Sequence, residues 1–369
     1  MTRVVIAPDK FKGSLTAVAA AEAIAAGVRD ALPDAEIVSC PVADGGEGTL
    51  DVLEAAGARI VEAHVRGPLE DSVDAHYAML HGTAYIESAR ACGIEFVIPT
   101  TTTALAAHTW GVGELLAHAL ARGADRLVLT VGGTASTDGG AGMLGALGAG
   151  VLDAFGSPVG LGGGTLHRVA SAELGPVHDR IGDTPVVVAT DVTNPLLGPE
   201  GAAAVFGPQK GAGPHEVALL EEALRRWAHA LDPHVAYVPG AGAGGGLAAG
   251  AIAGLGATVE SGFTLIAGLT GVDTAIARAD LVITGEGSID EQSLNGKAPA
   301  GIAAHARRHG VPLMVLAGRI RLDAAQLEHL GVVGCSALID HAPSFDHART
   351  HAAELLRAQA AALVNAWRP

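Results

Sequence analysis

The strongest constraint on the fold is the alternation of short apolar runs with helix-like segments at both ends of the chain. Residues 3–9, 36–44 and 58–65 predict strands, and Thr16 predicts the cap of the first intervening helix. Residues 270–369 repeat the pattern. Apolar strands joined by helices in this way predict a parallel sheet that is covered on both faces.

The middle of the chain has a different order of predicted strands and helices. Residues 73–80 and 83–89 predict a hairpin, residues 126–133 and 185–191 predict further strands, and residues 215–231 predict a polar helix. We therefore expect an α/β protein of two α/β domains.

Both chain ends should form one domain, interrupted by the other. The first is expected to be a Rossmann-like or flavodoxin-like parallel-sheet domain of residues 1–68 and 270–369. The second is an inserted mixed α/β domain of residues 69–269. We expect the active site in the cleft between them.

Composition excludes several classes of protein. Hydrophobic residues make up 49% of the 369 residues and charged residues 17%, which excludes a disordered chain. The net charge of −16 opposes binding to nucleic acid or to an anionic membrane. Cys40, Cys92 and Cys335 are far apart and indicate neither a disulfide framework nor a thiolate zinc site. A cytoplasmic location fits this cysteine usage.

Two segments bear on membranes and export. The first apolar run breaks at Pro8 after a few residues, so no secretory segment is expected. Residues 239–259 carry no charge and are about as long as a membrane span, but glycine and alanine dominate them. We expect a glycine-rich loop that leads into a buried small-residue helix.

The candidate functional residues follow the predicted strands, since ligands bind at the carboxyl ends of strands in open parallel sheets. These loops are acidic and rich in glycine. They contain the following candidates: Asp9, Lys10, Lys12, Ser14, Asp44, Gly132, Gly133, Thr134, Ser136, Asp138, Gly139, Asp191, Glu286, Gly287, Asp290, Lys297 and Arg319.

The residue types in these loops favour phosphoryl transfer. Glycine amides at a helix N-terminus bind phosphate, lysine holds phosphoryl oxygens, and carboxylates suit Mg²⁺. Lys10, Lys12, Lys210 and Lys297 all lie beside such loops. The alternative for each loop is structural, because Asp, Ser and Thr also cap helices, and Lys210 and Lys297 could be solvated surface charges.

Familiar nucleotide motifs are absent or weak. Ala298 follows Gly296-Lys297 where a Walker A loop needs Ser or Thr. A G-x-G-x-x-G pattern at Gly140, Gly142 and Gly145 is close to chance in a chain with 51 glycines. A nicotinamide-dependent oxidoreductase therefore stays a distant alternative.

Taken together, the loops resemble a known family. The strings APDKFKGSL, PVADGGEGTL, GGTASTDGGAGML, ATDVTNPLLG, FGPQKGA, GAGGGL, DLVITGEGSIDEQSLNGKAP and VLAGR occur in the order of the bacterial glycerate kinases of type I. This resemblance implies an ATP- and Mg²⁺-dependent kinase of D-glycerate with two α/β domains. The family usually has Ser at the position of Lys10 and an amide at that of Thr137.

Chemistry and resemblance together assign hypothetical roles. The predicted catalytic residues are Asp191, as the base, with Asp44 and Lys12. Substrate binding is predicted at Asp9, Lys10, Ser14 and Arg319, and Mg²⁺ binding at Glu286 and Asp290. Nucleotide binding is predicted at Gly132, Gly133, Thr134, Ser136, Asp138, Gly139, Gly287 and Lys297.

Other readings stay open on the sequence alone. A kinase of a related small hydroxy acid would share every loop, and a non-catalytic metabolite-binding protein could use the same fold. The resemblance favours the 2-hydroxyl of glycerate as the acceptor. We expect a monomer or homodimer, with D-glycerate and ATP as its small-molecule partners.

Overall fold

The computed structural model describes residues 1–291 and 298–367. The chain divides into two compact units. The terminal unit comprises Met1–Asp44, Asp51–Ala56 and the chain from Ser261 onward, and the inserted unit comprises Gly45–Leu50 and Gly57–Glu260. Each unit has its own principal sheet.

The strands of the described residues are β1 (Arg3–Ile6), β2 (Glu36–Ser39), β3 (Arg59–Arg66), β4 (Ser72–Leu80), β5 (Thr83–Glu87), β6 (Arg126–Thr130), β7 (Gly150–Asp153), β8 (Val169–Glu173), β9 (Val186–Ala189), β10 (Thr258–Glu260), β11 (Leu281–Ile289), β12 (Leu313–Ile320) and β13 (Val332–Ala337). The α-helices are α1 (Ala17–Ala31), α2 (Thr49–Ala55), α3 (Ala89–Cys92), α4 (Thr101–Ala106), α5 (Trp110–Ala121), α6 (Ala141–Leu147), α7 (Gly175–Ile181), α8 (Pro214–Leu231), α9 (Leu247–Leu255), α10 (Gly262–Thr270), α11 (Val272–Ile276), α12 (Ala298–His309), α13 (Ala324–His329), α14 (Phe345–Thr350) and α15 (Ala352–Trp367).

The terminal unit contains a parallel sheet in the order β13-β12-β11-β1-β2. Helices cover both of its faces. Val4 and Ile6 belong to the core that includes residues of α1 and α15, whereas Val5 belongs to the core that includes residues of α10 and α12. All three side chains are fully buried, as expected for a strand covered on both sides. The predicted parallel sheet formed by both chain ends is confirmed.

The third predicted strand of that sheet lies elsewhere. β3 pairs antiparallel with β4 from Arg59 opposite Met79 to Arg66 opposite Ser72, within the inserted unit. The turn between the strands is closed by the Gly67 N–H, which donates to the Asp71 carbonyl at 2.7 Å. β3 is therefore part of a local hairpin with β4. The longer segment of the inserted unit begins at Gly57, whereas the predicted boundary is at residue 68.

The second boundary also differs from the predicted position at residue 270. Residues from Ser261 onward, including α10, belong to the terminal unit. Phe263 and Ala267 of α10 are buried in the core beneath the parallel sheet. The small apolar side chains of this helix thus continue the terminal core.

The inserted unit contains a mixed sheet in the order β10-β9-β6-β5-β4-β3. β5, β6, β9 and β10 run parallel, so their carboxyl ends lie at one edge. The predicted hairpin of β4 and β5 is confirmed. Its turn is His81-Gly82, with φ of 48° and 80°, which matches the two-residue turns that twisted hairpins favour.

The uncharged segment of residues 239–259 folds as expected from its composition. It forms a glycine-rich loop followed by α9, whose residues Leu247 and Ala248 are fully buried in the inserted unit. In the described parts of the chain, no helix combines the length and apolar character needed to cross a membrane.

α9 packs closely because Gly250 has no side chain. We therefore predict that alanine destabilises the fold at Gly250 but not at an uncrowded helix position. A Cβ at Gly250 would lie 2.6 Å from the Gly139 carbonyl oxygen and 2.9 Å from the Gly140 Cα. We expect Gly250→Ala to lower the free energy of unfolding by about 1–3 kcal/mol, because backbone must move.

The matched control is Gly268→Ala in α10, where a Cβ would meet nothing within 4 Å. That change should raise stability by about 0.5–1 kcal/mol through helix propensity. Urea denaturation of both variants measures the difference, and equal effects would contradict the packing argument.

Candidate active site

The loop after β1 lies against the neighbouring strand β11. The Asp9 N–H donates to the Gly285 carbonyl at 2.8 Å, and the Thr284 hydroxyl donates to the Ala7 carbonyl at 2.7 Å. These bonds continue the ladder beyond β1. They fix Asp9 at the carboxyl edge of the terminal sheet, where ligands bind in open parallel sheets.

Two carboxylates and one lysine lie together at this edge, and of the three side chains Asp9 is the buried one. Lys10 Nζ lies 3.7 Å from Asp9 Oδ1 and 3.5 Å from Asp44 Oδ1, and Asp9 Oδ1 also accepts the Lys10 N–H at 2.6 Å. Asp9, Lys10 and Asp44 thus lie together, and their predicted roles in substrate binding and catalysis stay predictions.

Burial controls the ionisation of Asp9. The side chain is 5% exposed, and desolvation raises the pKa of Asp9 to about 7. That value is the net result: besides desolvation, the charge of Lys10 lowers this pKa, and the negative charges of Asp44 and Glu286 raise it. The carboxyl group is therefore poised to gain or lose a proton near neutral pH.

Glycines allow the loops of this edge to approach one another. A Cβ at Gly287 would lie 3.1 Å from the Lys12 backbone nitrogen, and a Cβ at Gly318 would overlap the Gly287 carbonyl. Gly287, predicted to bind nucleotide, thus has a packing function. The Lys12 side chain is exposed beside it.

The face of β11 carries several polar side chains. Glu286, Ser288 and Asp290 alternate with residues of the opposite face, and Ser288 is in register with Arg319 of β12. Arg319 therefore shares a face with Glu286. Glu286 lies within β11 and Asp290 directly follows its last residue, Ile289, and their pairing at Mg²⁺ stays a prediction.

Ser14, predicted to bind substrate, lies in the chain segment between β1 and α1. The Ser14 hydroxyl donates to the Arg349 carbonyl at 2.5 Å and can still accept a hydrogen bond, so its predicted substrate contact stays a prediction. Lys297 lies outside the described residues.

The inserted unit has a corresponding edge where β5, β6 and β9 end. Asp191 follows β9, whose residues are buried, and Gly132 and Gly133 follow β6. Asp191 is half-buried, and Gly132 and Gly133 are the more exposed part of their loop. Parallel pairing of β6 with β9 brings these loops to the same edge.

The buried side chain of Lys210 is hydrogen-bonded to the loop after β6. Its ammonium group donates to the Thr134 hydroxyl at 3.3 Å and to the Ser136 carbonyl. The residue is 3% exposed, and desolvation lowers the pKa of Lys210 to about 8 against the opposing effects of Cys92 and Asp138. The alternative of a solvated surface charge is therefore wrong for Lys210.

Asp138, in the same loop, has a structural role. Asp138 is 1% exposed, and its Oδ2 accepts from the Thr109 N–H at 2.9 Å, the Thr109 hydroxyl at 2.9 Å and the Gly142 N–H at 3.1 Å. Its Oδ1 accepts from the Gly140 N–H at 3.2 Å.

Asp138 thus joins the starts of α5 and α6. Thr134, Ser136 and Gly139 are also buried, so of the predicted nucleotide set in this loop Gly132 and Gly133 are the residues open to a phosphate.

Comparison with known proteins identifies the family. Residues 4–368 match the model of the glycerate kinase family. The chain belongs to this family. The glycerate kinase of Bacillus cereus is 39% identical, with 99% of this chain and 98% of the relative covered. The glycerate 2-kinase of Escherichia coli is 40% identical, with 94% and 93% covered.

A solved structure gives the same result. The crystal structure of putative glycerate kinase 2 from Salmonella typhimurium superposes with a TM-score of 0.83 at 40% identity, covering 99% of this chain and 98% of the other. Glycerate kinase family membership makes ATP the expected phosphoryl donor.

The donor set of the terminal edge fits a magnesium ion bound together with phosphate. Mg²⁺ is usually held by one or two carboxylates with substrate phosphates and water. Asp9, Asp44 and Glu286 provide such oxygens, whereas the described residues contain no cluster of three or more His, Cys, Asp or Glu side chains able to hold a metal alone. The ion would therefore depend on the nucleotide.

Glu87 is a site-edge residue that sequence analysis of this glycerate kinase family member missed. It ends β5, is 1% exposed, and accepts from the Gly48 N–H at 3.3 Å and the Leu50 N–H at 3.4 Å. Arg90 Nε lies 3.4 Å from its Oε1. It fixes the backbone at Gly48 and Leu50, and the rule that selected Asp191, a polar residue at a strand end, would have found it.

The raised pKa of Asp9 predicts how stability depends on pH. Between pH 4 and pH 7 the folded protein keeps a proton that the unfolded chain releases. Stability should therefore fall as pH rises from about 4 to about 7 and level off above pH 7, with a slope of up to about 1.4 kcal/mol per pH unit from this group. Asp9→Asn should remove this contribution and unfold at higher urea than the parent at pH 8, but not at pH 4.

Urea titrations of both proteins at pH 4, 6 and 8 measure the difference. Asp34→Asn, at an exposed turn of the same unit, is the control for the chemical change itself. If the free energies of unfolding of the parent and of Asp9→Asn change equally with pH, the pKa of Asp9 is not raised.

Proposed function

We propose that the chain is a type I glycerate kinase that transfers the γ-phosphoryl group of ATP to the 2-hydroxyl of D-glycerate. The observation that carries this proposal is similarity along almost the whole chain to proteins named glycerate kinase, at 39–41% identity. The name of the Escherichia coli relative, glycerate 2-kinase, supports the 2-hydroxyl as the acceptor.

Recognition of the substrate carboxylate is assigned to Arg319. A guanidinium group binds a carboxylate with two parallel N–H bonds, which fixes both its distance and its plane. Arg319 is half-buried and in register with Ser288, which can bond to a hydroxyl of the substrate. Lys10 and Lys12 add positive charge at the same sheet edge.

Transfer requires a group that accepts the hydroxyl proton. The glycerate oxygen forms a bond to the γ-phosphorus, the bond from that phosphorus to the ADP oxygen breaks, and the hydroxyl proton passes to a carboxylate. Asp191 is the proposed base, and its position directly after the buried strand β9 supports a fixed orientation. Asp44 is the second candidate.

Nucleotide phosphates are assigned to the exposed amides of Gly132 and Gly133. Backbone N–H groups of glycine-rich turns bind phosphate oxygens. Lys210 supports this assignment indirectly, because it fixes the loop by two hydrogen bonds from within the fold. Magnesium, when bound at the carboxylates Asp9, Asp44 or Glu286, would neutralise developing phosphate charge.

Product formation tests the proposed reaction. Purified protein with ATP, Mg²⁺ and D-glycerate should release ADP, and phosphorus NMR should identify 2-phosphoglycerate. L-glycerate and an acceptor-free reaction are the controls. Turnover with another small hydroxy acid but not with D-glycerate would contradict the substrate and favour a related kinase.

The role of Asp191 predicts a large effect on turnover. Asp191→Asn should lower kcat by about 10²- to 10⁴-fold, because the proton acceptor is lost, while the unfolding midpoint changes little. Asp183→Asn, at the exposed amino end of the same strand, is the matched control. If Asp44→Asn abolishes turnover and Asp191→Asn does not, the base is Asp44.

A further inference from the structure

A short segment beside the terminal sheet contacts two of its loops. It consists of Ser344 and α14, and Ser344 caps the helix by accepting the His347 N–H at 3.1 Å. Phe345, at the first position of α14, is 62% exposed. We call residues 344–350 the strap.

One end of the strap is fixed to the loop after β1. The Arg349 carbonyl accepts the Ser14 hydroxyl at 2.5 Å, and the Arg349 guanidinium donates to the Gly13 carbonyl at 3.4 Å. The same guanidinium donates to Asp346 at 3.2 Å, which stiffens the helix itself.

The other end of the strap contacts β12. The Arg319 Cζ lies 5.6 Å from the centre of the Phe345 ring, within the range of a cation–π interaction. In the sheet order, β11 lies between β12 and β1. The strap therefore reaches from Arg319 to the loop at Ser14, past the strand that carries Glu286.

An aromatic ring and a carboxylate can bind different parts of the Arg319 guanidinium group. An aromatic ring covers the flat face of a guanidinium group, whereas a carboxylate binds its N–H donors in the plane of the group. Both partners can be engaged at once. A long arginine side chain otherwise loses rotational freedom when it binds, and a ring that already holds it reduces that loss.

We propose that Phe345 is a positioning residue that holds Arg319 for the carboxylate of the substrate. This inference rests on the proposed function, since it takes a small hydroxy acid as the ligand of Arg319. The strap supplies the rigidity: hydrogen bonds to Gly13 and Ser14 set the helix, and the helix sets the ring.

Steady-state kinetics of ring variants test the proposal. Phe345→Ala should raise KM for D-glycerate about 3- to 10-fold, with kcat and the KM for ATP within 2-fold of the parent. Phe345→Tyr keeps the aromatic face and should restore KM, whereas Phe345→Leu keeps an apolar side chain without that face and should not.

Two control experiments separate this role from packing. Phe155→Ala removes a 94% exposed ring from the inserted unit and should leave all constants unchanged. In an Arg319→Lys background, which lacks the planar fork, Phe345→Ala should have no further effect on KM.

Two outcomes overturn the positioning role while leaving the proposed function intact. One is a Phe345→Ala KM within 2-fold of the parent when Arg319→Lys raises it. The other is rescue by Phe345→Leu as good as by Phe345→Tyr, which would indicate packing. Absence of D-glycerate turnover by the unchanged protein would overturn the proposed function, and this role with it.

Discussion

Parallel hydrogen bonding between strands determines where polar side chains can emerge in both units. Helices cover the faces of such sheets, so strands such as β1 and β9 are buried along their length, and charged groups collect at the strand ends. In the terminal unit the ladder extends beyond β1 to the Asp9 amide. The same bonds that form the sheet thus set the position of the acidic group.

Asp9 and Lys210 are both buried, and burial shifts their pKa values in opposite directions. Desolvation raises the pKa of Asp9 and lowers that of Lys210, since it opposes the charged form of each. Buried charges are a poor source of stability compared with apolar packing. The hydrogen bonds of Lys210 to the loop at Thr134 and Ser136 therefore have their main effect on loop position.

Local patterns in the sequence predicted the parallel terminal sheet, the β4–β5 hairpin and the buried helix after the glycine run. The pairing partner of β3 could not be predicted, because its apolar alternation suits either sheet and a turn at Gly67 decided the outcome. Site residues were recognisable by type but not by direction. Asp138 is an example: its side chain type suits a ligand contact, yet its carboxylate accepts hydrogen bonds from Thr109 and Gly142 within the fold.

Charge explains why the terminal edge needs local cations. Glycerate and ATP are anions, whereas the chain carries 39 acidic against 23 basic residues, so its long-range field opposes their approach. Salt screens that field beyond a Debye length of about 8 Å at physiological ionic strength, but a contact at hydrogen-bond distance is screened far less. Lys10, held 3.5 Å from Asp44, is partly neutralised by its neighbours. Arg319 instead lies 5.6 Å from the centre of the Phe345 ring, which carries no charge and so does not offset the attraction of the guanidinium for an anionic ligand.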